Sequence, residues 1–507
     1  MENPCYTCRR RRIRCDQSGS PCAKCTNSGL QCFASRPLRW VAGVAIRGKM
    51  RGVSFESADG RNESGPKDGH PALGAESALT VGPPERDVIP MKPVISVPPS
   101  IGDFAVSDLD PVSRYYLDYY NDSICKLFIV YDSEKNPFRA LISLSLLDQT
   151  LLKSVLALAA RHRANRERSF HDLTIQLSPE RTNAHINALR FKYQAIQGIS
   201  QALGDATGQR KDTTVASIFL LIFLDLLESG SDRWNVHLEG AKRLMDSSLP
   251  EPGSRLDPGR TIQEIRNFLA SQIYSIETLG GTFVRPKLLS QFDLLRGPQF
   301  QETVEQSFLG CPEYLLDAIR YLSARRDAIM GLEHHDRHDT SIFSYYVENT
   351  VTMIEFIQHF DCSVWATSLL QLNTTGTGDI RPLCMLARTY QIGALIYGKR
   401  VLGALTKECL PLEDLVQELI DAISSLQDNQ AVYKCLLWPL CIAGLECHQQ
   451  QQRESILRYM EKFWDCTSCI NAINAADIIK DYWKQNDGAL PQWIFSIGHL
   501  GRDWLLI

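Results

Sequence analysis

Six cysteines within the first 32 residues, Cys5, Cys8, Cys15, Cys22, Cys25 and Cys32, are spaced C-x2-C-x6-C-x6-C-x2-C-x6-C. No other feature constrains this chain as strongly. The frame is one unit, C-x2-C-x6-C, written twice, in which a close pair chelates one metal ion and a third thiolate returns after a short helical turn. Zn²⁺ takes four tetrahedral ligands, so two separate ions would need eight thiolates, and six suffice only if two sulfurs are shared. The arrangement therefore predicts a binuclear cluster holding two Zn²⁺. A segment this short and poor in aliphatic residues cannot fold on buried apolar surface, whereas structural zinc supplies roughly 10–16 kcal/mol of binding energy that becomes folding energy. A disulfide framework is the competing explanation, but it belongs to exported chains. The start MENPCYTCRRRR has no apolar stretch behind its basic residues, which argues against a secretory signal.

The charge is as uneven as the cysteines. Residues 1–52 hold eleven Lys or Arg against Glu2 and Asp16, a net +9, and the remainder carries −13 within a whole-chain charge of −4. Arg9, Arg10, Arg11, Arg12 and Arg14 fill the first six-residue gap, and Lys24 lies in the mirror-related half. A basic end on an acidic body is the asymmetry expected when one end meets nucleic acid. Such cations displace the counterions condensed on DNA, but they carry no sequence information unless donors reach base edges. The run RRRRIR also fits nuclear import, which can coexist with DNA contact.

Residues 5–32 resemble the binuclear Zn₂Cys₆ cluster of fungal transcription factors, with matching cysteine gaps throughout. The resemblance implies that Cys5 and Cys22 bridge the two ions, that Cys8 and Cys15 complete one, and that Cys25 and Cys32 complete the other. Pro21 sits where that family sets the turn between halves. By position, Arg11 and Arg12 fall where the family contacts bases of CGG-type triplets in double-stranded DNA, the assignment to Arg12 being the firmer. Arg9, Arg10, Arg14 and Lys24 read as phosphate contacts.

From Phe33 to about Val106 the chain is rich in Gly, Ser and Pro, with little apolar periodicity, and reads as a disordered linker. Its proximal part, RPLRWVAGVAIRGKMRG with Trp40, suits either a path along the DNA backbone or a short hydrophobic clasp on the zinc module. Many members of the family place a heptad coiled coil here to form a dimer, and no sustained a/d repeat follows this cluster. A homo-dimer through the large domain and a monomer both stay open. The expected organisation is a DNA-binding domain at 1–35, a linker at 36–106 and a large all-helical domain at 107–507.

The remaining stretch of about 400 residues shows no second linker as conspicuous as the first, so one helical unit is the simplest reading. In DRWNVHLEGAKRLMDSS, Asp232 can cap a helix while Trp234, Leu238, Ala241 and Met245 recur on one face. Similar stripes run through LLKSVLALAARHRA, AHINALRFKYQAIQGISQAL and LEDLVQELIDAISSL. The apolar run VASIFLLIFLDLL at 215–227 is interrupted by Asp225, falls short of the ~20 residues that cross a bilayer, and reads as a buried helix. No membrane role is expected. The body also resembles the all-helical regulatory domain behind zinc clusters in one large group of fungal factors. Its matching stretches are YYLDYYNDSICKLF, NPFRALI, LLKSVLALAARH, WNVHLEGAKRLM, LWPLCIAGLECHQQQQRESI and DIIKDYWKQND. That resemblance implies regulation, with transcriptional co-regulators as partners.

An enzymatic reading finds little support. EHHDRHD at 333–339 places His334 and His338 at i, i+4 beside Asp336 and Asp339, but such clusters are ordinarily solvated loops. Cys466 and Cys469 form a lone C-x-x-C without the βαβ setting of a redox motif, and Cys435, Cys441 and Cys447 lie on apolar helical stretches. His162 and His237 fall within helical stripes as structural residues. There is no glycine-rich phosphate loop and no nucleophile elbow. The chain is expected to be an all-α, non-enzymatic, nuclear transcription factor regulating RNA polymerase II. A zinc-dependent protein-interaction scaffold is the alternative.

Overall fold

The computed structural model describes residues 4–11, 13–16, 21–28 and 32 near the N-terminus, and 109–171, 178–204, 211–231, 233–246, 260–284, 308–332, 340–371, 379–408, 410–485, 493–496 and 503–507 thereafter. The linker, Trp40, Arg12, Asp232 and the 333–339 segment lie outside the described residues. The chain divides into two compact units, Met1–Pro93 and Val94–Ile507. Among the described residues there are helices and no strand, and the isolated antiparallel bridge between Ser231 and Trp504 is the nearest thing to sheet. None of the described helices is long and apolar enough to cross a membrane.

In the larger unit the helix starts follow from local chemistry. Asp110 accepts from the N–H groups of Val112 and Ser113 ahead of Pro111–Tyr119, and Asn136 accepts from Phe138 N–H ahead of Pro137–Ser145. Proline at the first position loses no bond there, because that N–H has no partner within the helix. Asp148 caps Gln149–Asn165 in the same way through Thr150 and Leu151.

The core is continuous from Tyr116 to Ile507. Helix Lys211–Glu228 lies inside it, with Val215, Phe219, Ile222 and Phe223 buried, as its apolar run predicts. Phe223 meets Phe128, Phe219 and Phe308 at ring separations of 4.4, 4.8 and 5.0 Å, contacts worth ~0.5–1.5 kcal/mol each beyond the area they bury. Helix Arg381–Thr406 crosses a second part of the core, and every residue of Leu437–Glu446 is buried. Helix Trp234–Asp246 inserts Trp234, Leu238 and Ala241 fully, while Met245 is only partly covered. The segment at 503–507 is drawn inward: Leu505 N–H donates to Gly230 O at 2.7 Å, Trp234 Nε1–H to Asp503 O at 3.1 Å, and Asn471 Nδ2–H to Ile507 O at 3.2 Å.

Buried charges in this unit are paired. Asp225 accepts from His237 at 2.9 Å and faces Lys192, which also reaches Glu228, and Glu228 takes a further bond from Arg161 at 2.9 Å. Lys192 and Arg161 hold the Glu228 carboxyl below its ordinary range despite the desolvation that opposes it. Arg400 grips Glu446 through two nitrogens, and Trp493 Nε1–H donates to the same carboxylate at 2.6 Å. These groups link helices distant in sequence, and each would be costly if its partner were removed.

Candidate metal centre and nucleic-acid interface

Each half of the cysteine frame begins a short helix. Cys5 caps α1 (Tyr6–Arg10) and Cys22 caps α2 (Ala23–Asn27). The C-x2-C spacing turns the chain so that Cys8 N–H donates to Cys5 Sγ at 3.4 Å, a bond that lowers the Cys5 thiol from its usual range. In the second half, Cys25 N–H bonds Cys22 O at 3.0 Å and Cys22 N–H reaches Cys32 Sγ at 3.5 Å. Asp16 ties the halves together by accepting from Ala23 N–H at 3.0 Å. The cysteine pattern does not reveal that role, and the sequence signal for it is an acid between the two halves of a basic head.

Cys5, Cys8, Cys22 and Cys25 are buried, with Cys15 and Cys32 partly buried around them. Cys5 Sγ lies 3.8 Å from both Cys22 Sγ and Cys25 Sγ, and Cys8 Sγ lies 3.7 Å from Cys22 Sγ and 3.9 Å from Cys25 Sγ. A tetrahedron of sulfurs with Zn–S bonds of ~2.3 Å has edges of ~3.8 Å. Cys5, Cys8, Cys15 and Cys22 form one set whose sulfurs all lie within 4.8 Å of one another, and Cys5, Cys22, Cys25 and Cys32 form a second. Cys5 and Cys22 are common to both sets. Burial pushes the Cys25 thiol up to about 12 and the Cys8 thiol up as well, so a buried cation is what makes four thiolates tolerable there. The donor set thus fits two zinc ions held as a cluster.

Around this centre the described basic side chains face outward. Arg9, Arg11, Arg14 and Lys24 are exposed, Arg11 closing α1 with its N–H on Thr7 O at 3.2 Å. The backbone of Arg10 belongs to the last turn of α1. Of the two residues expected at base edges, only Arg11 falls within the described residues, and it stands on the solvent side of α1.

The other candidates resolve as structural groups. His237 is the partner of Asp225. His162 shares a 2.8 Å bond between Nδ1 and the Tyr119 hydroxyl, and burial brings it down to about 4. Cys466 lies in the last turn of helix Gln450–Thr467, the end whose dipole disfavours a thiolate. Burial raises the Cys469 thiol to about 12. Cys435, Cys441 and Cys447 are buried.

A metal-organised basic head and a large helical body in one chain are the build of a zinc-cluster DNA-binding regulator. Residues 3–41 match the fungal Zn(2)-Cys(6) binuclear cluster domain, which binds two zinc ions, and residues 115–507 match the fungal specific transcription factor domain. The chain belongs to this family of fungal transcription factors. It is 22% identical to the acriflavine sensitivity control protein acr-2 of Neurospora crassa over 99% of this chain and 94% of that protein. It is 21% identical to the pestheic acid cluster transcriptional regulator 3 of Pestalotiopsis fici over 88% of each. No solved structure matches. The family implies a nuclear role.

Proposed function

We propose that the chain regulates RNA polymerase II transcription by reading CGG-type triplets in duplex DNA. The sharing of Cys5 and Cys22 by two four-sulfur sets carries this reading, because such a cluster fixes α1 and the exposed arginines at its end in one orientation. In this reading Cys5, Cys8, Cys15, Cys22, Cys25 and Cys32 ligate zinc. Arg11 and Arg12 donate to guanine O6 and N7, and Arg9, Arg10, Arg14 and Lys24 hold phosphates. Residues 1–35 form the DNA-binding domain, 36–106 the linker and 107–507 the regulatory domain, which meets co-regulators in the nucleus. The cluster is structural and performs no catalysis.

The test is binding of the zinc-loaded chain to CGG-containing and scrambled duplexes across a salt series. Discrimination at fixed salt is expected. Arg12→Ala and Arg11→Ala should each lose about 1–3 kcal/mol of it, whereas Arg14→Ala should weaken both duplexes alike and reduce the salt slope by about one. Equal binding to both duplexes would sink the reading in favour of a protein-interaction scaffold.

A further inference from the structure

The helical body holds an open cavity of about 390 Å³ where the end of helix Thr340–His359, the start of Cys362–Gln371 and the first turns of Arg381–Thr406 meet. Its apolar wall is made by Phe360, Cys362, Cys384 and Met385. Tyr314 stacks on Phe360 at a ring separation of 5.4 Å and an angle of 9°, which fixes that ring. Burial pushes the Cys362 thiol up to about 12 and raises Cys384 as well, so both sulfurs stay protonated at neutral pH. With the Met385 thioether they present polarizable surface of the kind that favours an aromatic ring, and no thiolate for a metal.

The polar groups of the cavity divide into engaged donors and open acceptors. Arg388 donates to Glu418 through Nε and Nη2, and to Gln391 Oε1 through Nη1 at 2.6 Å. The Gln391 amide in turn donates to Ile357 O at 2.7 Å and Phe360 O at 2.9 Å. The Ser363 and Val364 N–H groups that open helix Cys362–Gln371 are taken by Asp361 Oδ1 at 2.9 and 3.0 Å, bonds that hold the Asp361 carboxyl below its ordinary range. An anion would find these donors already engaged, and its desolvation uncompensated. His359 Nδ1 bonds Glu355 O at 2.7 Å, which puts a proton on Nδ1 and leaves Nε2 an acceptor in the neutral ring. Asp361 keeps Oδ2 beyond the donors gathered on Oδ1. Charge agrees: residues 340–371 contain Glu348, Glu355 and Asp361 and no Lys or Arg, while Arg381 is paired with Asp379 and Arg388 with Glu418. We infer that this cavity binds a small aromatic ammonium, its ring against Phe360 and Met385 and its donors on Asp361 and His359. The volume lies within the range of small-molecule sites, and the exposed carboxylate sets a modest affinity. The inference concerns the body alone and does not depend on which DNA the head reads.

Ligand-observed NMR titration of the full-length zinc-loaded chain tests it with three probes that share a ring and differ in the charge of the head: 1-naphthylmethylammonium, neutral 1-naphthylmethanol and anionic 1-naphthylacetate. One saturable site is expected for the ammonium, with a dissociation constant of about 1 mM or tighter. The alcohol should bind about three- to fivefold more weakly and the anion about tenfold or more. Asp361→Asn keeps an oxygen for the Ser363 and Val364 N–H groups, and should bring the ammonium to the affinity of the alcohol with an unchanged thermal midpoint. Met385→Trp fills the cavity and should abolish binding of all three. On irradiation, 4-azidobenzylammonium should label peptides spanning 359–362 or 384–391 of the native chain, a readout that needs no variant to fold. Equal binding of the three heads, an ammonium affinity indifferent to both substitutions, labelling confined to other peptides, or no saturable binding would overturn the inference.

Discussion

The sulfurs of Cys5 and Cys22 lie 3.8 Å apart, and each belongs to both four-sulfur sets. Both residues also cap a helix. The residues central to the donor set therefore stand where the two helices begin, and Cys5 Sγ itself accepts the Cys8 N–H that opens α1.

This predicts unequal consequences for the six cysteines. Cys22→Ala removes a donor from both sets and should leave the head with almost no bound zinc. Cys32→Ala removes a donor from one set and should retain part of the metal at high free zinc. Zinc content after dialysis, measured by elemental analysis, checks it, and equal losses would refute the shared role.

Chelation should act on one unit alone. The body holds a continuous core of its own, whereas among the described residues of the head the buried side chains are cysteines. Chelating the metal should abolish DNA binding and, in a cobalt-substituted chain, the cobalt–thiolate absorption, while far-ultraviolet ellipticity falls only slightly. A collapse of the helical signal together with the metal would contradict this.

His162 predicts an acid sensitivity of the body. Burial and the Arg166 charge depress its folded value from 6.5 to about 4. The unfolded chain therefore binds the proton more readily, so the contribution is whole above about 6.5 and is lost as pH falls toward 4. The loss is on the order of 3 kcal/mol. Urea unfolding at pH 7 and pH 5 should show a smaller difference for His162→Asn, which keeps a partner for Tyr119, than for the native chain.

Gly230 sits at φ +68°, where an added Cβ would stand 2.6 Å from Asn471 Cβ and 3.0 Å from Leu505 O. Gly230→Ala should cost on the order of 2–4 kcal/mol through left-handed strain and overpacking. It should also release the 503–507 segment, read as a shift in tryptophan emission. An unchanged denaturation midpoint would show that the contact is slack.

How much of this was legible depends on the range of the interactions. The cysteine frame is a local pattern, and the chelating turn needs nothing from the rest of the chain, so the sequence reading and the sulfur geometry meet there. The 215–227 run is legible as a buried helix because its composition leaves little choice. Asp225 within that run is not explained locally, since its partners, His237 and Lys192, arrive from two other helices. The inward course of 503–507 is likewise illegible, because it depends on Gly230 and Asn471.

The continuity of the core from Tyr116 to Ile507 governs how this protein can be dissected. Serial deletion, the customary way to map regulatory segments, would cut through packed side chains at nearly every endpoint. Its losses would report misfolding and degradation rather than missing regulatory function. Regulatory regions here are better mapped by surface substitutions that leave the core intact.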